Sequence, residues 1–360
     1  MRVFRFLLSC FLAVFLIVSP PIIKNGLAKD PRRAVFEKDA PGWYGVVELW
    51  HIASFKPYQG SATSFLETCA TAYNKKHPGV HIKVTGMTEK KFFERTARGE
   101  RPDAYSFASG FIGTEDLAPL SVDLPALAFG IPAAKSRGTL YAAPYFFSGY
   151  ALAVNPQLLY PAGLTAPETV DAAFLQQVLS LEKKTPQLYA PELAAAMFDV
   201  RGSLATREQF LEGKSLAGLI DLYTYGAIGR SDTLTILIET LPYAAFTDLV
   251  QYIGADAGAD ETRRGIVADF AAYLLSEDIQ RRLPQLGAMP AARDVPGIVF
   301  SDDLLADFYA AASGIAAPDP LLYHAEKDAL LAEARAALSG DAAAQIAFSG
   351  RMEVVLGGES

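Results

Sequence analysis

The stretch Leu140-Tyr-Ala-Ala-Pro-Tyr-Phe-Phe-Ser-Gly-Tyr-Ala-Leu-Ala-Val-Asn155 changes character halfway along its length. Its first half is aromatic and turn-like, whereas residues 150–154 form an unbroken apolar run that predicts a short buried strand. Pro144 fits best at a strand edge or a crossing, where no backbone N–H is needed. The pattern indicates a chain that leaves one folded body, passes an aromatic cluster and enters a second body as a strand. An ordinary core strand with aromatic neighbours is the alternative.

The composition is that of a globular chain large enough for two domains. The 360 residues are 51% hydrophobic and 20% charged, which is too apolar for disorder. The net charge is −8 and no basic cluster is present, so we expect neither nucleic acid nor anionic lipid as a partner. Removal of an N-terminal segment that holds Cys10 would leave Cys69 as the only cysteine, so no intrachain disulfide is expected.

Residues 1–28 have the pattern of a signal peptide or N-terminal anchor. Arg2 and Arg5 precede an uncharged apolar run over residues 6–18, and Gly26-Leu27-Ala28 is a small-x-small cleavage candidate. Residues 29–43 are charged and interrupted by proline, which predicts a linker. We expect an exported protein, periplasmic or at the cell surface. An uncleaved or lipidated N-terminus would tether it to the membrane.

The next segment predicts a β-α-β unit. Residues 46–50 and 80–84 have strand patterns and enclose a helical pattern, so the two strands should be parallel with a right-handed crossover. A helix over residues 89–98 leads to a third strand at 104–107. Farther on, a β-branched run predicts a strand at 233–238. Long helices are predicted over residues 261–280, 302–313 and 322–338.

Several motifs in this order resemble one family. They are Tyr73-Asn-Lys-Lys-His-Pro-Gly-Val-His-Ile-Lys-Val84 with Gly99-Glu-Arg-Pro-Asp103, the stretch quoted first, Phe210-Leu-Glu-Gly-Lys214, and Phe270-Ala-Ala-Tyr-Leu-Leu-Ser-Glu-Asp-Ile-Gln280 followed by Gly287-Ala-Met-Pro290. Together they look like the extracellular solute-binding proteins of ABC importers, in the family that includes the maltose- and oligosaccharide-binding proteins.

The resemblance implies an α/β, two-lobe, periplasmic-binding-protein-like (type II) fold with a ligand cleft between the lobes. Lobe one is expected over residues 44–142 plus 246–292, and lobe two over 143–245 plus 293–356. The resemblance also implies a function: capture of a small polar solute, a mono- or oligosaccharide, and its delivery to a membrane permease. A monomer without cofactor, metal or catalytic residues is expected.

Candidate ligand-binding residues lie where loops leave strand ends, because α/β proteins bind ligands outside the carboxyl ends of their strands. Sugar recognition needs hydrogen-bonding groups together with aromatic faces that cover C–H surfaces. The candidates are Trp50, His51, Tyr58, Ser106, Phe107, Ser109, Phe146, Phe147, Tyr150, Tyr223, Tyr225, Arg230 and Tyr243.

Three other functions are open on the sequence alone. Tyr223 and Tyr225 on a strand would point both phenols to one face, an arrangement that suits ferric iron as well as a sugar. A membrane-tethered ligand-sensing module is the second alternative. An exported hydrolase is the least supported, because it needs a nucleophile–base or carboxylate pair and no Gly-x-Ser-x-Gly elbow is present.

Overall fold

The computed structural model describes residues 43–127, 130–168, 170–181, 185–199, 201–229, 239–243 and 245–357. Residues 1–42, which hold the predicted signal peptide or anchor and nearly all of the predicted linker, lie outside them. The strands are β1 (Gly45–Ile52), β2 (Val80–Met87), β3 (Ala104–Ala108), β4 (Ala134–Ser136), β5 (Thr139–Phe147), β6 (Tyr150–Val154), β7 (Leu188–Tyr189), β8 (Ala217–Asp221), β9 (Glu239–Tyr243), β10 (Val250–Ala255) and β11 (Met289–Pro290).

The helices connect and cover these strands. They are α1 (Ala62–Lys76), α2 (Glu89–Ala97), α3 (Pro156–Leu159), α4 (Ala172–Ser180), α5 (Glu192–Met197), α6 (Arg207–Leu211), α7 (Leu222–Gly229), α8 (Glu261–Leu274), α9 (Glu277–Gln280), α10 (Leu283–Leu286), α11 (Asp303–Ala311), α12 (Pro320–Leu338) and α13 (Ala342–Gly357). No helix in the described part of the chain combines the length and the apolar character that a membrane crossing requires.

The first sheet has the strand order β11-β5-β10-β3-β1-β2, with β4 paired to β5. β1 is parallel to β2 and to β3, which confirms the predicted β-α-β unit. The register pairs Ile52 at the end of β1 with Met87 at the end of β2, so the loops that follow these strands leave from one edge. β10 returns from a distant part of the sequence and lies antiparallel between β3 and β5.

The second sheet has the order β7-β8-β6-β9, and the chain crosses to it between Phe147 and Tyr150. It returns to the first sheet between Tyr243 and Val250. The first passage lies within the stretch quoted at the start, and the second includes position 246, where lobe one was expected to resume. The expected lobe boundary after residue 142 falls inside β5, because that strand pairs with β10 as far as Phe147. The remaining lobe ranges stay predictions.

One predicted helix is interrupted in the structure, and one observed helix was not predicted. The helix predicted over residues 261–280 is interrupted: α8 ends at Leu274, and the N–H and Oγ of Ser276 both donate to the carbonyl of Tyr273. These local bonds stop the helix, as a serine can do when it bonds to nearby backbone. No helix was predicted at α13, which places Phe348 and Met352 in the core. The strand predicted at 233–238 lies outside the described residues.

Buried side chains form a cluster that belongs to both sheets. It includes Trp50 and Phe107 from the first sheet, and Ala151 and Ile220 from the second. Tyr58 and Tyr225 pack against the same cluster while remaining half-exposed. Buried apolar side chains from both sheets therefore form one cluster, and the half-exposed rings of Tyr58 and Tyr225 pack on it.

Candidate functional site

An aromatic contact joins the loop after β1 to the helix after β8. The rings of Tyr58 and Tyr225 are stacked, with centroids 5.8 Å apart and planes inclined by 26°. The Tyr58 hydroxyl donates to Oδ2 of Asp302 at 2.8 Å, and the Lys56 ammonium lies 4.9 Å from the centroid of the Tyr223 ring. We call this surface, formed by residues 53–60, α7 and Asp302, the seam.

Glycine at position 287 fixes the lobe-one side of the seam. The backbone N–H of Tyr58 donates to the carbonyl of Gly287, and that of Gln59 donates to the carbonyl of Leu286. Gly287 follows α10 with φ +68°, and a Cβ added there would lie 2.3 Å from Cβ of Tyr58. Because L-residues avoid this left-handed conformation and the space is filled, glycine lets the loop dock closely.

A strand-to-helix turn presents Tyr225. β8 ends at Asp221, whose Oδ1 accepts a hydrogen bond from the backbone N–H of Thr224 at 2.7 Å and so caps the first turn of α7. Gly226 allows close approach, since a Cβ added there would lie 2.8 Å from ring carbons of Tyr58.

The expectation that Tyr223 and Tyr225 share a strand face is wrong. The two residues lie in α7, where residues two apart are rotated by about 200°. Their rings therefore leave the helix in different directions, Tyr225 towards Tyr58 and Tyr223 towards Lys56. The two phenols therefore do not form the same-face pair that was expected for ferric iron on a strand. In the described part of the chain, no group of three or more His, Cys, Asp or Glu side chains could hold a metal ion.

Two of the candidates, His51 and Ser106, lie in a buried polar network within the first sheet. Ser106 Oγ is 2.9 Å from Nδ1 of His51 and 2.8 Å from the Tyr145 hydroxyl, and it accepts from Nε2 of Gln251 at 2.9 Å. All four side chains are at most 2% exposed. Burial lowers the pKa of His51 to about 4, because the charged imidazolium loses its hydration. The imidazole is therefore neutral at pH 7.

The apolar candidates of the first sheet are core residues. Trp50, Phe107, Phe146 and Phe147 are all at most 1% exposed. The indole of Trp50 packs edge-on against Phe92, and Phe147 packs against Phe308. These strands are covered on both faces, so alternation along them does not send every second side chain to a cleft. Their burial leaves none of these four rings open to a ligand at the seam.

The candidates at the crossings are also interior. The Tyr150 hydroxyl donates to Oδ1 of Asp248 at 2.5 Å, and burial together with that carboxylate raises the pKa of Tyr150 well above its usual value. Tyr243 is 3% exposed and lies beside Phe198. Ser109 is buried too, and its Oγ has no hydrogen-bond partner among the described residues. Arg230 lies outside the described residues.

Sequence reasoning missed Lys56 and Asp302 as seam residues. Asp302 had one local signal, because it is the first residue of the helix predicted over residues 302–313, and its Oδ1 does cap α11 by accepting from the N–H of Leu304. Its second carboxylate oxygen reaches Tyr58, which is 244 positions away in the sequence. No local sequence pattern predicts a contact between residues so far apart in the chain.

The sequence matches a known family over residues 56–229. The matching model is that of the bacterial extracellular solute-binding proteins, which confirms the resemblance drawn from the motifs. This class consists of proteins that bind solutes, and the match is not to an enzyme family. A comparison with curated proteins finds no match.

Solved structures of similar shape confirm the two-lobe α/β fold. An ABC substrate-binding protein of Listeria monocytogenes in complex with cycloalternan matches with a TM-score of 0.60 and 13% identity, over 86% of this chain and 97% of that one. The sugar-binding protein MalE of Xanthomonas citri gives 0.59 and 15%, over 87% and 98%. The cyclic α-maltosyl-1,6-maltose binding protein of Arthrobacter globiformis gives 0.59 and 16%, over 87% and 98%.

Proposed function

We propose that this protein is the extracytoplasmic solute-binding component of an ABC importer, which captures a mono- or oligosaccharide at the seam and delivers it to a membrane permease. The observation that carries the proposal is the contact of Tyr58 with Tyr225. One ring lies in the loop after β1 of the first sheet and the other in the helix after β8 of the second, and a carboxylate, Asp302, accepts a hydrogen bond from the Tyr58 hydroxyl. Aromatic faces cover the C–H surface of a sugar, while a carboxylate accepts hydrogen bonds from its hydroxyls.

The structural neighbours support this class of ligand. Two of them are described by the saccharides that they bind, cycloalternan and cyclic α-maltosyl-1,6-maltose. Their identity to this chain is 13% and 16%, so they support the class and do not specify the sugar. In this proposal the protein is exported, acts as a monomer and needs no cofactor.

The buried candidates have a supporting part in this proposal. The network around Ser106 holds the carboxyl ends of β1 and β3 in place. Tyr58, Tyr225 and Asp302 touch the sugar directly. A pyranose ring requires more room than the contacting rings of Tyr58 and Tyr225 leave, so the lobes must first rotate apart about the crossings near Gly149 and Asp248. Hinge motion of this kind is general among two-lobe binding proteins, and closure must draw on contacts made only in the closed state.

Ligand screening combined with one substitution tests the proposal. Melting curves are recorded with glucose, maltose, maltotriose, mannobiose and ferric citrate, and calorimetry then measures the Kd of any stabilising sugar. Tyr225→Ala should weaken sugar binding by about 5- to 150-fold, because it removes a stacking face and about 1–3 kcal/mol with it. Tyr44→Ala is the matched control, since Tyr44 is 60% exposed and precedes the opposite end of β1.

Three outcomes contradict the proposal. One is tight binding of ferric ion with no stabilisation by any sugar. Another is a sugar affinity that Tyr225→Ala and Tyr44→Ala alter equally. The third is an unchanged radius of gyration in small-angle scattering at saturating sugar, combined with unchanged hydrogen exchange of residues 53–60, since the proposal requires the seam to respond to ligand.

A further inference from the structure

The loop after β3 meets the start of α12 at a contact that joins the two lobes. This loop, residues 109–118, is bound to the first sheet at both ends, because the N–H groups of Ser109 and Ala118 donate to carbonyls of β10. α12 packs in one cluster with strands of the second sheet through Leu330 and Ala334. A contact between the loop and α12 therefore depends on how the two sheets are placed relative to each other.

His324, near the start of α12, lies beside two groups of that loop. Its Nδ1 is 3.3 Å from the carbonyl oxygen of Gly110, and its Nε2 is 3.4 Å from Oε1 of Glu115. The imidazole is 32% exposed and the Glu115 side chain 67%, so solvent protons reach both. We call His324, Glu115 and the Gly110 carbonyl the latch.

The two groups that face the His324 ring accept hydrogen bonds and do not donate them. A neutral imidazole carries a single N–H, so one of its nitrogens would turn a lone pair towards an oxygen. The imidazolium carries two N–H groups and can donate to the Gly110 carbonyl and to the ionised Glu115 carboxylate together. The geometry therefore fits the charged ring better than the neutral one.

The neighbouring residue fixes α12 beside the return crossing. The Tyr323 hydroxyl donates to Oδ2 of Asp248 at 3.3 Å, and Oδ1 of the same carboxylate accepts from Tyr150. The Tyr323 ring also packs on Gly110, where an added Cβ would collide with it. His324 therefore lies close to the segments about which the lobes should rotate. A displacement of about 1 Å is enough to break its contacts, because hydrogen bonds weaken steeply with distance.

Other charged groups belong to the elements around the latch. They are Asp116 on the loop, Asp319 at the cap of α12, Glu326, Lys327 and Asp328 on α12, Lys135 on β4 and Asp248 at the crossing. Asp116 is paired with Arg101. The Lys327 ammonium lies over the Tyr323 ring, and Glu326 is paired with Arg351. Among the described residues, the carboxylate in contact with the ring nitrogens of His324 is that of Glu115.

The chain has four histidines, and the other three make their contacts on the side of the first sheet. His51 lies in the buried network described above. His77 at the end of α1 is 3.7 Å from Oδ2 of Asp269 in α8, and His81 in β2 contacts the last turn of α1. These elements pack in one cluster with the first sheet. Protonation of His324, by contrast, acts on a contact between the lobes.

We propose that His324 is an acid-sensitive latch between the lobes. The protonated ring binds the loop after β3 at two points and favours the lobe arrangement of this structure. The neutral ring keeps one of the two contacts, so the lobes separate more readily. Histidine is the side chain whose charge ordinarily changes between pH 5 and 8. Since a proton that stabilises one arrangement shifts the population towards it, falling pH should favour the latched arrangement.

The distance between two spin labels in the ligand-free protein measures this equilibrium. Lys91→Cys on α2 and Ala347→Cys on α13 place one label on each lobe at exposed positions. Cys10→Ser removes the thiol of the N-terminal segment, and Cys69 is buried and stays unlabelled. The ratio of latched to separated molecules should rise by about 1.5- to 5-fold from pH 8 to pH 5.5, the range for an exposed ion pair.

Three variants assign the effect to the latch. His324→Gln removes the titrating ring and should abolish the dependence of the ratio on pH, and Glu115→Gln removes the charge that the ring faces and should reduce it. His77→Gln is the matched control, because His77 also lies beside a carboxylate but within one lobe, and it should retain the full dependence. All three side chains are partly exposed, so the variants should fold, and unchanged melting curves at pH 8 verify this.

Two results overturn the proposal. One is a ratio that does not change with pH in the parent protein. The other is a dependence on pH that survives in His324→Gln. If that surviving dependence is lost in Asp248→Asn, the titrating group lies at the crossing and His324 is not the latch.

The spin-label test uses no sugar, so its outcome is independent of the proposed function. Acid should also slow the entry of sugar at the seam, a consequence that rests on the proposed function. If the ratio responds to pH while no sugar binds, the latch is supported and the proposed function is refuted. If sugar binds at the seam while the ratio does not respond to pH, only the latch is refuted.

Discussion

His51 lies near the end of β1 and Tyr58 seven positions later in the loop that follows, yet the two residues have opposite surroundings. His51 is 1% exposed and bonds to Ser106 within the first sheet, whereas Tyr58 is half-exposed and stacks on Tyr225 of the other lobe. The His51 network joins residues of one sheet, so it should determine the stability of that lobe. The Tyr58 contact joins the loop after β1 of the first sheet to the helix after β8 of the second, so it should determine how the lobes move and what they bind.

The largest effect is expected from Ser106→Ala, because three buried groups share the Ser106 hydroxyl. Leaving a buried polar group unpaired costs about 1–3 kcal/mol, so the free energy of unfolding should fall by roughly 2–5 kcal/mol. Urea denaturation measures this change. Ser109→Ala is the matched control, since the Ser109 Oγ is buried without a hydrogen-bond partner in the described structure, and its loss should change stability by less than about 1 kcal/mol. Equal effects of the two substitutions would contradict the assignment of the network.

The second prediction concerns acid. The pKa of His51 is lowered from 6.5 to about 4 in the folded protein, so below pH 6.5 the unfolded chain binds a proton that the folded chain excludes. Stability should therefore fall as the pH drops from 6.5 to 4, by about 3 kcal/mol from this group. Urea denaturation at a series of pH values measures the slope.

His51→Gln provides the comparison for that slope. Glutamine retains a hydrogen-bonding group near Ser106 and does not titrate. The parent and the variant share every carboxylate, so the difference between their pH profiles isolates the imidazole. Parallel profiles between pH 6.5 and 4 would show that His51 is accessible to protons in the folded state.

The third prediction moves to the seam, at Gly287. An added Cβ would lie 2.3 Å from Cβ of Tyr58, and φ is +68°. Gly287→Ala should lower the free energy of unfolding by about 1–3 kcal/mol and displace the loop that carries Tyr58. Gly163→Ala is the control for backbone strain alone, because its φ is +78° and nothing lies within 4 Å of an added Cβ.

The effect on sugar affinity distinguishes the two glycines. Gly287→Ala should weaken binding because the position of Tyr58 changes. Gly163→Ala should cost a similar amount of strain and leave binding intact. If both variants bind sugar as tightly as the parent protein, the position of Tyr58 does not matter to the ligand.

The fold was largely predictable because its signals are local. Two strand patterns, at residues 46–50 and 80–84, and the helical pattern between them together specify β1, α1 and β2. The site was less predictable because its defining contacts are distant. Leu222-Tyr-Thr-Tyr225 fits a strand and a helix equally well, and only the cap from Asp221 decides for the helix. Proximity to a strand end likewise did not distinguish the buried His51 from the half-exposed Tyr58.

The smallest effect is expected from Tyr58→Phe, which keeps the ring and removes only the hydrogen bond to Asp302. Because this bond is partly solvated, the variant should lose about 0.5–1.5 kcal/mol in the free energy of lobe closure, and sugar affinity should fall by about 2- to 12-fold. Global stability should be nearly unchanged, since the ring can still stack on Tyr225. Calorimetry measures the affinity and urea denaturation the stability.

A double-mutant cycle with Asp302→Asn assigns the effect to this bond. Asparagine retains an oxygen that can cap α11 by accepting from the N–H of Leu304, so α11 should persist. If the hydroxyl acts through Asp302, the affinity loss in the double variant should be smaller than the sum of the two single losses. Strict additivity would show that the hydroxyl acts on the ligand alone and that Asp302 has no part in holding Tyr58. A loss of global stability in Tyr58→Phe as large as that in Ser106→Ala would remove the distinction between the two regions, because the seam would then be part of the core.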